Sequence, residues 1–197
     1  MEADNINTPE YWNKNYSVGF YQDRVPTDRK FWQDFLDFAL PKTPTTILEI
    51  GCGLGYNAKY ASDKGHKVIA TDFSKVAIDE NRKRWGKLTD PSFSNVSIDD
   101  VSKTYTGLFN VVMAFEIIEH FKSPMIILRK ILKTIAPDGI LIFSVPQESG
   151  KFGYFEQHLS YRNYKSTVDR MFTLFKSVQF YKNGASGQNI LGIAKRG

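Results

Sequence analysis

The stretch Ile47–Ser62 reads ILEIGCGLGYNAKYAS and contains three closely spaced glycines. It opens with a largely apolar run that is typical of a buried strand. Glycines at positions 51, 53 and 55 then permit backbone conformations that other residues rarely adopt, and they let a ligand approach the main chain closely. A helix is predicted from Leu54 to Ser62, and the free amides of its first turn would face the same ligand. The stretch therefore predicts a strand, a ligand-binding glycine loop and a helix.

The spacing of these glycines excludes two common nucleotide-binding motifs. A dinucleotide fingerprint, G-x-G-x-x-G, requires glycine at position 56, where this chain has Tyr56. The phosphate-binding pattern G-x-x-x-x-G-K-[ST] does not occur in the sequence. The loop is instead G-x-G-x-G, and the acidic Glu49 precedes it.

Short β-rich runs alternate with longer helical patterns along the rest of the chain. Several of the runs are apolar almost throughout, as in strands of a parallel sheet that helices cover on both faces. Ser74 predicts the start of a helix that reaches about Arg84, Ser123 precedes a second helix, and Pro137–Gly139 predicts a turn. The alternation predicts an α/β fold with a doubly wound sheet. The predicted strands are Thr46–Ile50, Lys67–Thr71, Asn95–Ile98, Phe109–Phe115, Ile140–Val145, Ser177–Tyr181 and Ile190–Ala194.

Length and composition limit the class of protein. The 197 residues, 42% hydrophobic and 24% charged, fit a single globular domain over residues 1–197. No apolar run approaches the ~18–20 residues of a membrane helix, so we expect no transmembrane segment. The first residues are polar and acidic, unlike a signal peptide, and the single cysteine, Cys52, can form neither an internal disulfide nor a cysteine-based zinc site. These features favour a cytoplasmic location.

Positive charge is concentrated near the C-terminus. The chain carries a net charge of +5, and residues 151–197 contain eight Lys/Arg and two acidic residues. A basic face of this kind is usually just solvated, but it can also attract an anionic substrate or a nucleic acid. Because these basic residues are dispersed, and because the aromatic residues of 1–40 are not interleaved with basic residues, nucleic acid is the weaker interpretation.

Two acidic positions follow predicted strands at the ligand-binding edge of the sheet. Asp72 ends the second strand, where a carboxylate can accept hydrogen bonds from both hydroxyls of a ribose. The alternative role for Asp72 is to cap the helix that starts at Ser74. Asp100 follows the third predicted strand and could reach an adenine amino group, although the pair Asp99–Asp100 is also typical of a turn.

Together these motifs resemble those of class I S-adenosylmethionine-dependent methyltransferases, over about residues 45–195. Further matching segments are FNVVMAFEIIEHF and LRKILKTIAPDGILIFSVP, while Asn110 departs from the Asp that is usual before the fourth strand. The resemblance implies a Rossmann-like sheet of seven strands in the order 3-2-1-4-5-7-6, with strand 7 antiparallel. It also implies that S-adenosyl-L-methionine binds and S-adenosyl-L-homocysteine is the product. The implied cofactor-binding residues are Glu49, Gly51, Gly53, Gly55, Asp72, Phe73, Asp100, Val101 and Phe115.

Candidate catalytic residues follow the fourth strand in the segment FEIIEHF. Methyl transfer from a sulfonium needs alignment of the acceptor and, for some acceptors, removal of a proton. His120 is the candidate base, with Glu116 as a second catalytic candidate, and the alternative role for His120 is packing or positioning. The acceptor is expected to be an oxygen or a nitrogen atom rather than carbon.

A metal-assisted reaction is an alternative use of the same segment. Glu116, Glu119, His120 and His158 supply two carboxylates and two imidazoles, which can bind a divalent ion. This set resembles that of small-RNA 3′-terminal 2′-O-methyltransferases, whereas E-x-x-E-H also resembles the ubiquinone-pathway O-methyltransferases. We expect no metal, because His158 must arrive from a separate loop. A non-catalytic module that binds S-adenosylmethionine is the remaining alternative.

Two segments are candidates for acceptor binding. Residues 1–40 are rich in aromatic side chains, and in the resembled family this segment commonly forms a helical lid; the long loop from Pro146 lies at the carboxyl edge of the sheet. Because few residues are available for recognition, a small-molecule acceptor is expected. The candidate substrate-binding residues are Tyr16, Tyr21, Phe152, Tyr154 and His158.

Overall fold

The computed structural model describes residues 7–19, 29–86, 91–146, 170, 173–182 and 189–197. Seven strands form one sheet in the order β3-β2-β1-β4-β5-β7-β6, and β7 pairs antiparallel with β5 and β6. The predicted fold class and strand order are therefore confirmed. The strands are β1 (Thr46–Ile50), β2 (Lys67–Asp72), β3 (Ser92–Asn95), β4 (Phe109–Phe115), β5 (Ile135–Pro146), β6 (Ser177–Lys182) and β7 (Asn189–Lys195).

Local sequence signals set several helix boundaries. Ser74 caps its helix as predicted, since its Oγ accepts a hydrogen bond of 3.2 Å from the Ala77 amide. Proline occupies the first helical position at Pro9 and at Pro124, where its missing N–H costs no intrahelical bond. The helices are α1 (Pro9–Ser17), α2 (Arg29–Ala39), α3 (Tyr56–Asp63), α4 (Lys75–Trp85), α5 (Ile98–Thr104) and α6 (Pro124–Thr134), and a short 3-10 turn spans Ile118–His120.

The chain divides into two compact units, Met1–Ser97 and Ile98–Gly197. In the first unit, β2 pairs in parallel with both β1 and β3, and β1 is buried along nearly its whole length. The carboxyl ends of β1 and β2 therefore lie side by side. The register places Glu49 opposite Ala70 and Ile50 opposite Thr71.

In the second unit, β4 pairs in parallel with β5, and Phe115 is the register partner of Ser144. The side chains of Val111–Ala114 and of Leu141–Phe143 are fully buried. A strand that is apolar on both faces belongs inside a sheet that is covered on both sides, as the sequence predicted.

Two predicted boundaries are wrong. The third strand is Ser92–Asn95 and not Asn95–Ile98, so Asp99 and Asp100 lie in the first turn of α5 and do not directly follow a strand. The turn predicted at Pro137–Gly139 lies within β5. Here the pairing register with β4 shifts, since Phe109 pairs with Ile135 but Val111 pairs with Ile140. Asp138, between these pairs, has a φ of 59°. A bulge accommodates the extra residues without ending the strand.

No helix within the described ranges is both long and apolar enough to cross a membrane. The predicted cytoplasmic location and the single-domain organisation stay predictions.

Candidate functional site

The glycine loop connects β1 to α3 through residues in the left-handed backbone region. Gly53 and Gly55 have φ angles of 49° and 69°, which side chains larger than hydrogen disfavour. Gly55 is the N-cap of α3, and its amide donates a 2.8 Å hydrogen bond to the Cys52 carbonyl. A Cβ atom at Gly55 would lie 2.7 Å from the Phe93 ring. The loop therefore needs glycine both for its backbone and for its close packing.

Three side chains from separate elements surround Gly53. Its amide donates a 2.9 Å hydrogen bond to Asp72 Oδ2, and its carbonyl accepts a 2.7 Å bond from Asn81 Nδ2. A Cβ atom at Gly53 would lie 2.9 Å from the Tyr16 hydroxyl. The peptide groups on both sides of Gly53 are thus fixed by residues of β2 and α4, and helix α1 packs over them.

Asp72 ends β2 and is buried beside the loop. Its Oδ1 accepts a 2.8 Å hydrogen bond from the Ser74 amide while Oδ2 accepts that of Gly53. Burial raises the pKa of Asp72 to about 6, although the amides of Ser74, Gly53 and Phe73 favour the ionised form. A carboxylate offers about four acceptor positions, so Asp72 can hold the loop and still accept bonds from a ligand hydroxyl. Its side chain also supports the start of α4, as the alternative interpretation expected.

Glu49 is a buried carboxyl on β1, next to the glycine loop. Burial raises its pKa to about 8, the charge of Asp72 adds to this rise, and hydrogen bonds from the Ala58 amide and the Asn57 side chain oppose it. Within the described part of the chain, Oε2 is buried and has no hydrogen-bond partner. Because such an oxygen is costly to leave unpaired, it fits a ligand that brings a positive charge or an N–H donor.

The predicted adenine-binding position, Asp100, is exposed on α5. Its side chain forms a 2.7 Å ion pair with Lys103, one turn later in the same helix. Val101 is fully buried and Phe115 is buried at the end of β4. The assignment of these three residues to the cofactor site stays a prediction.

Glu116 follows β4 with an unusual backbone. Its φ is 54°, a left-handed value that non-glycine residues adopt at a cost of about 1–3 kcal/mol. Its amide donates to Ser144 Oγ at 3.1 Å, and the Ser144 hydroxyl donates to Glu116 Oε1 at 2.6 Å. Burial raises the pKa of Glu116 to about 7, whereas the hydrogen bond from Ser144 lowers it.

Glu119 and His120 lie in the 3-10 turn that follows, and both are buried. Burial raises the pKa of Glu119, and the charge of Glu116 raises it further. Two carboxyls whose ionisation is mutually unfavourable tend to retain a proton near neutral pH. This segment can therefore hold or release protons, and it places an imidazole in the same turn.

No group of three or more His, Cys, Asp or Glu side chains in the described ranges is arranged to hold a metal ion. The fourth member of the predicted metal set, His158, lies outside these ranges, as do Tyr21, Phe152 and Tyr154. Tyr16, the remaining predicted substrate residue, is buried against the glycine loop. The metal-assisted alternative stays a prediction.

Two residues that contact the predicted site were not expected. Asn81 is 1% exposed and Ser144 is fully buried. Asn81 shares a face of α4 with the buried Ala77, and Ser144 interrupts the apolar run ILIFSV. A polar residue at an otherwise apolar buried position is the signal that could have identified both, because such residues require hydrogen-bond partners.

A glycine loop between a strand and a helix, flanked by buried acids on two adjacent parallel strands, defines a nucleotide-type ligand site in an open α/β sheet. A family model described as "Methyltransferase domain" matches residues 22–182, and the chain belongs to this family. The resemblance to class I S-adenosylmethionine-dependent methyltransferases is therefore confirmed as membership of this family.

Individual relatives are distant. The chain is 24% identical over 145 residues to a ubiquinone biosynthesis O-methyltransferase of Neisseria meningitidis, covering 72% of this chain and 59% of that protein. It is 26% identical over 136 residues to the (S)-coclaurine N-methyltransferase of Papaver somniferum, covering 66% of this chain and 38% of that protein. The chain thus spans only part of the length of either relative.

A solved structure has a similar fold. The 1,6-didemethyltoxoflavin-N1-methyltransferase of Burkholderia thailandensis, crystallised with 1,6-didemethyltoxoflavin and S-adenosylhomocysteine, superposes with a TM-score of 0.73. The match covers 95% of this chain and 86% of that chain at 16% identity. At this identity the likeness concerns the fold.

Proposed function

We propose that this chain transfers a methyl group from S-adenosyl-L-methionine to an oxygen or nitrogen atom of a small molecule. The observation that carries the proposal is the buried Oε2 of Glu49, which has no hydrogen-bond partner among the described residues and lies beside a glycine loop that Asp72 and Asn81 fix. A ligand with a cationic amino-acid part and a ribose would satisfy this oxygen and the spare acceptor positions of Asp72. The family match and the relatives, which include an O- and an N-methyltransferase, support the same activity.

Different residues of this chain bind different parts of the cofactor. Glu49 and the loop Gly51–Gly55 hold the methionine part, and Asp72 accepts hydrogen bonds from the ribose. Asp100 accepts a hydrogen bond from the adenine edge, and Phe73, Val101 and Phe115 are the further residues proposed to bind the cofactor. When bound, the cofactor supplies an activated methyl group on a sulfonium, which becomes a neutral thioether once the methyl group has been transferred. The protein then has to align the acceptor and, where its pKa requires, to remove a proton.

His120 is the proposed general base. An imidazole accepts protons near neutral pH, and the turn that carries His120 also carries the buried Glu119. Glu116 is the proposed second acid–base group, because its raised pKa lets the carboxyl exchange a proton near pH 7. We further propose that Tyr16, Tyr21, Phe152, Tyr154 and His158 bind the acceptor, and that the basic residues of 151–197 favour an anionic one.

Calorimetry tests the cofactor assignment. Titration with S-adenosylhomocysteine or S-adenosylmethionine should show binding of one ligand per chain, and Asp72→Ala should weaken it. Exposed Asp34→Asn on α2 is the control, which should bind as tightly as the wild type. If neither ligand binds while NADH does, the proposal is overturned. Methyl transfer to a panel of phenols, amines and carboxylates, followed with a labelled methyl group, then separates the enzyme from a non-catalytic module.

A further inference from the structure

Helix α1 contacts the glycine loop and the start of α4 through one polar and two aromatic residues. Tyr16 packs against Leu54 and Ala77 and places its hydroxyl over Gly53, as the 2.9 Å distance to a Cβ at that position shows. Trp12 lies against the same cluster. The helix itself is short, with Thr8 as its N-cap, and a nine-residue helix gains little stability on its own. Its position therefore depends on these contacts.

Asn13 provides the polar contact. Its Oδ1 accepts hydrogen bonds from the Ser74 hydroxyl at 2.8 Å and from the Val76 amide at 3.3 Å. The Val76 amide belongs to the first turn of α4, where amides have no partner within the helix. Ser74 satisfies the Ala77 amide, and Asn13, 63 residues earlier than Val76, satisfies that of Val76. The N-terminus of α4 is thus capped by two residues from different parts of the chain.

The same contacts lead directly to the predicted ribose-binding acid. Ser74 donates its hydroxyl to Asn13 and its amide to Asp72 Oδ1, and Asp72 Oδ2 accepts the amide of Gly53. Displacement of α1 would remove the partner of the buried Ser74 hydroxyl and also the side chain that covers Gly53. The geometry of helix α1 and that of the glycine loop are therefore coupled.

We propose that Asn13 is a positioning residue for cofactor binding, which docks helix α1 onto the start of α4 and thereby holds Tyr16 over Gly53. Asn13 does not need to touch the cofactor for this role. The inference rests on the proposed function, since it takes S-adenosylhomocysteine as the ligand whose affinity is measured.

The test compares Asn13→Ala with Asn13→Asp. The Ala variant removes the acceptor oxygen, whereas the Asp variant keeps it and places a negative charge near the N-terminus of α4, which is favourable. Asn13→Ala should raise the Kd for S-adenosylhomocysteine roughly 3- to 30-fold, the change that corresponds to loss of a helix-capping bond. Asn13→Asp should restore most of the affinity. Lys14→Ala, an exposed neighbour on α1, should leave it unchanged.

A second readout separates positioning from a loss of overall stability. Ile131→Val, in the fully buried part of α6, should lower Tm without changing the Kd. Amide hydrogen exchange should quicken in α1 and at Val76 of Asn13→Ala, with or without ligand. An Asn13→Ala variant that binds within twofold of the wild type, or an Asp variant as weak as the Ala variant, overturns the inference. If the wild type binds no cofactor, the proposed function fails, and exchange in α1 still tests the docking.

Discussion

Ser144 and Glu116 hold each other through two reciprocal hydrogen bonds at the ends of β5 and β4. The Ser144 hydroxyl donates to Glu116 Oε1 at 2.6 Å and accepts from the Glu116 amide at 3.1 Å. Glu116 has a left-handed backbone, with a φ of 54°, and these bonds help to offset its cost. Since the hydroxyl favours the ionised carboxyl, Ser144 also keeps the pKa of Glu116 lower than burial alone would set it. A fully buried serine thus controls both the conformation and the proton affinity of the candidate catalytic acid.

Replacement of Ser144 should change the titration of Glu116. Ser144→Ala removes the hydrogen bond to the carboxylate, so the pKa of Glu116 should rise further above about 7. The loss of a partner for this half-buried carboxyl should also lower the free energy of unfolding by about 1 kcal/mol. Carbon-13 NMR of the carboxyl groups across a pH series measures the first effect and denaturant unfolding the second. Ser144→Thr keeps the hydroxyl and should restore the titration; an unshifted Glu116 in the Ala variant would contradict the assignment.

Alanine at Gly53 should weaken cofactor binding, whereas alanine at Gly65 should cost only stability. Both Gly53 and Gly65 have positive φ angles, so alanine at either should cost about 1–2 kcal/mol of stability. Of the two, Gly53 is the position where the new Cβ meets another group, the Tyr16 hydroxyl at 2.9 Å, whereas no atom of the described residues lies within 4 Å of a Cβ at Gly65. Gly65→Ala is therefore a matched control for the backbone cost.

Calorimetry with S-adenosylhomocysteine separates the two glycines. We expect Gly53→Ala to raise the Kd by at least tenfold and Gly65→Ala to leave it unchanged. Adding Tyr16→Phe to Gly53→Ala removes the crowding hydroxyl and should recover part of the affinity. Equal effects of the two glycine variants on Kd would show that the loop geometry at Gly53 is not needed for binding.

The sequence was sufficient to predict most elements because their signals are local. Ser74 was identified as a cap from residue type and position, and β1 and β4 were predicted with their observed bounds. The third strand was predicted three residues too late. The β-branched Val96 and Ile98 have a higher strand propensity than the polar residues around Phe93, although Phe93 is the buried residue of the observed strand. Strand propensity depends on how a side chain packs in the folded protein, and here the burial of Phe93 determines where the strand lies.

The residues that support the candidate site could not be predicted in the same way. Ser144 contacts a residue 28 positions away, and Asn13 contacts Ser74 across 61 positions. No periodic pattern encodes a contact between particular positions that far apart. The glycine loop and Asp72 were predictable because spacing along one strand–loop–helix unit determines them. The residues that hold this unit in place come from other elements, and only the fold brings them together.

His120 should act as a base without a metal ion. If it removes the acceptor proton, His120→Ala should lower kcat by roughly 10²–10⁴-fold and leave the Kd for S-adenosylhomocysteine unchanged. Lys122→Ala, an exposed neighbour, is the control and should retain full activity. EDTA should have no effect on the wild type, because we expect the reaction to need no metal ion. Chelator-sensitive turnover that Mg²⁺ or Mn²⁺ restores would instead favour the metal-assisted reaction.

Cofactor affinity and the stability of the ligand-free protein should respond to pH in opposite directions. The folded-state pKa of Glu49 is about 8, well above its ordinary value of 4.5. Between these two values the folded protein holds a proton that the unfolded chain has lost, so stability falls as pH rises through this window. Asp72, at about 6 against 3.8, contributes in the same direction. Thermal unfolding without ligand should therefore give a lower Tm at pH 8 than at pH 5.5.

Binding of a cationic ligand beside Glu49 favours its ionised form, so S-adenosylmethionine should bind more tightly as pH rises towards 8 and should release a proton at pH 7. Calorimetry at pH 7 in phosphate and in Tris detects this release, because the two buffers take up a proton with different enthalpies. Glu49→Gln should abolish the buffer dependence that Glu49 causes, weaken binding of the cation, and reduce the fall in stability between pH 5.5 and pH 8. The exposed Asp34→Asn should change none of these. Proton release that persists unchanged in Glu49→Gln would assign the linked proton to Asp72 or to another group, and would remove Glu49 from the cofactor site.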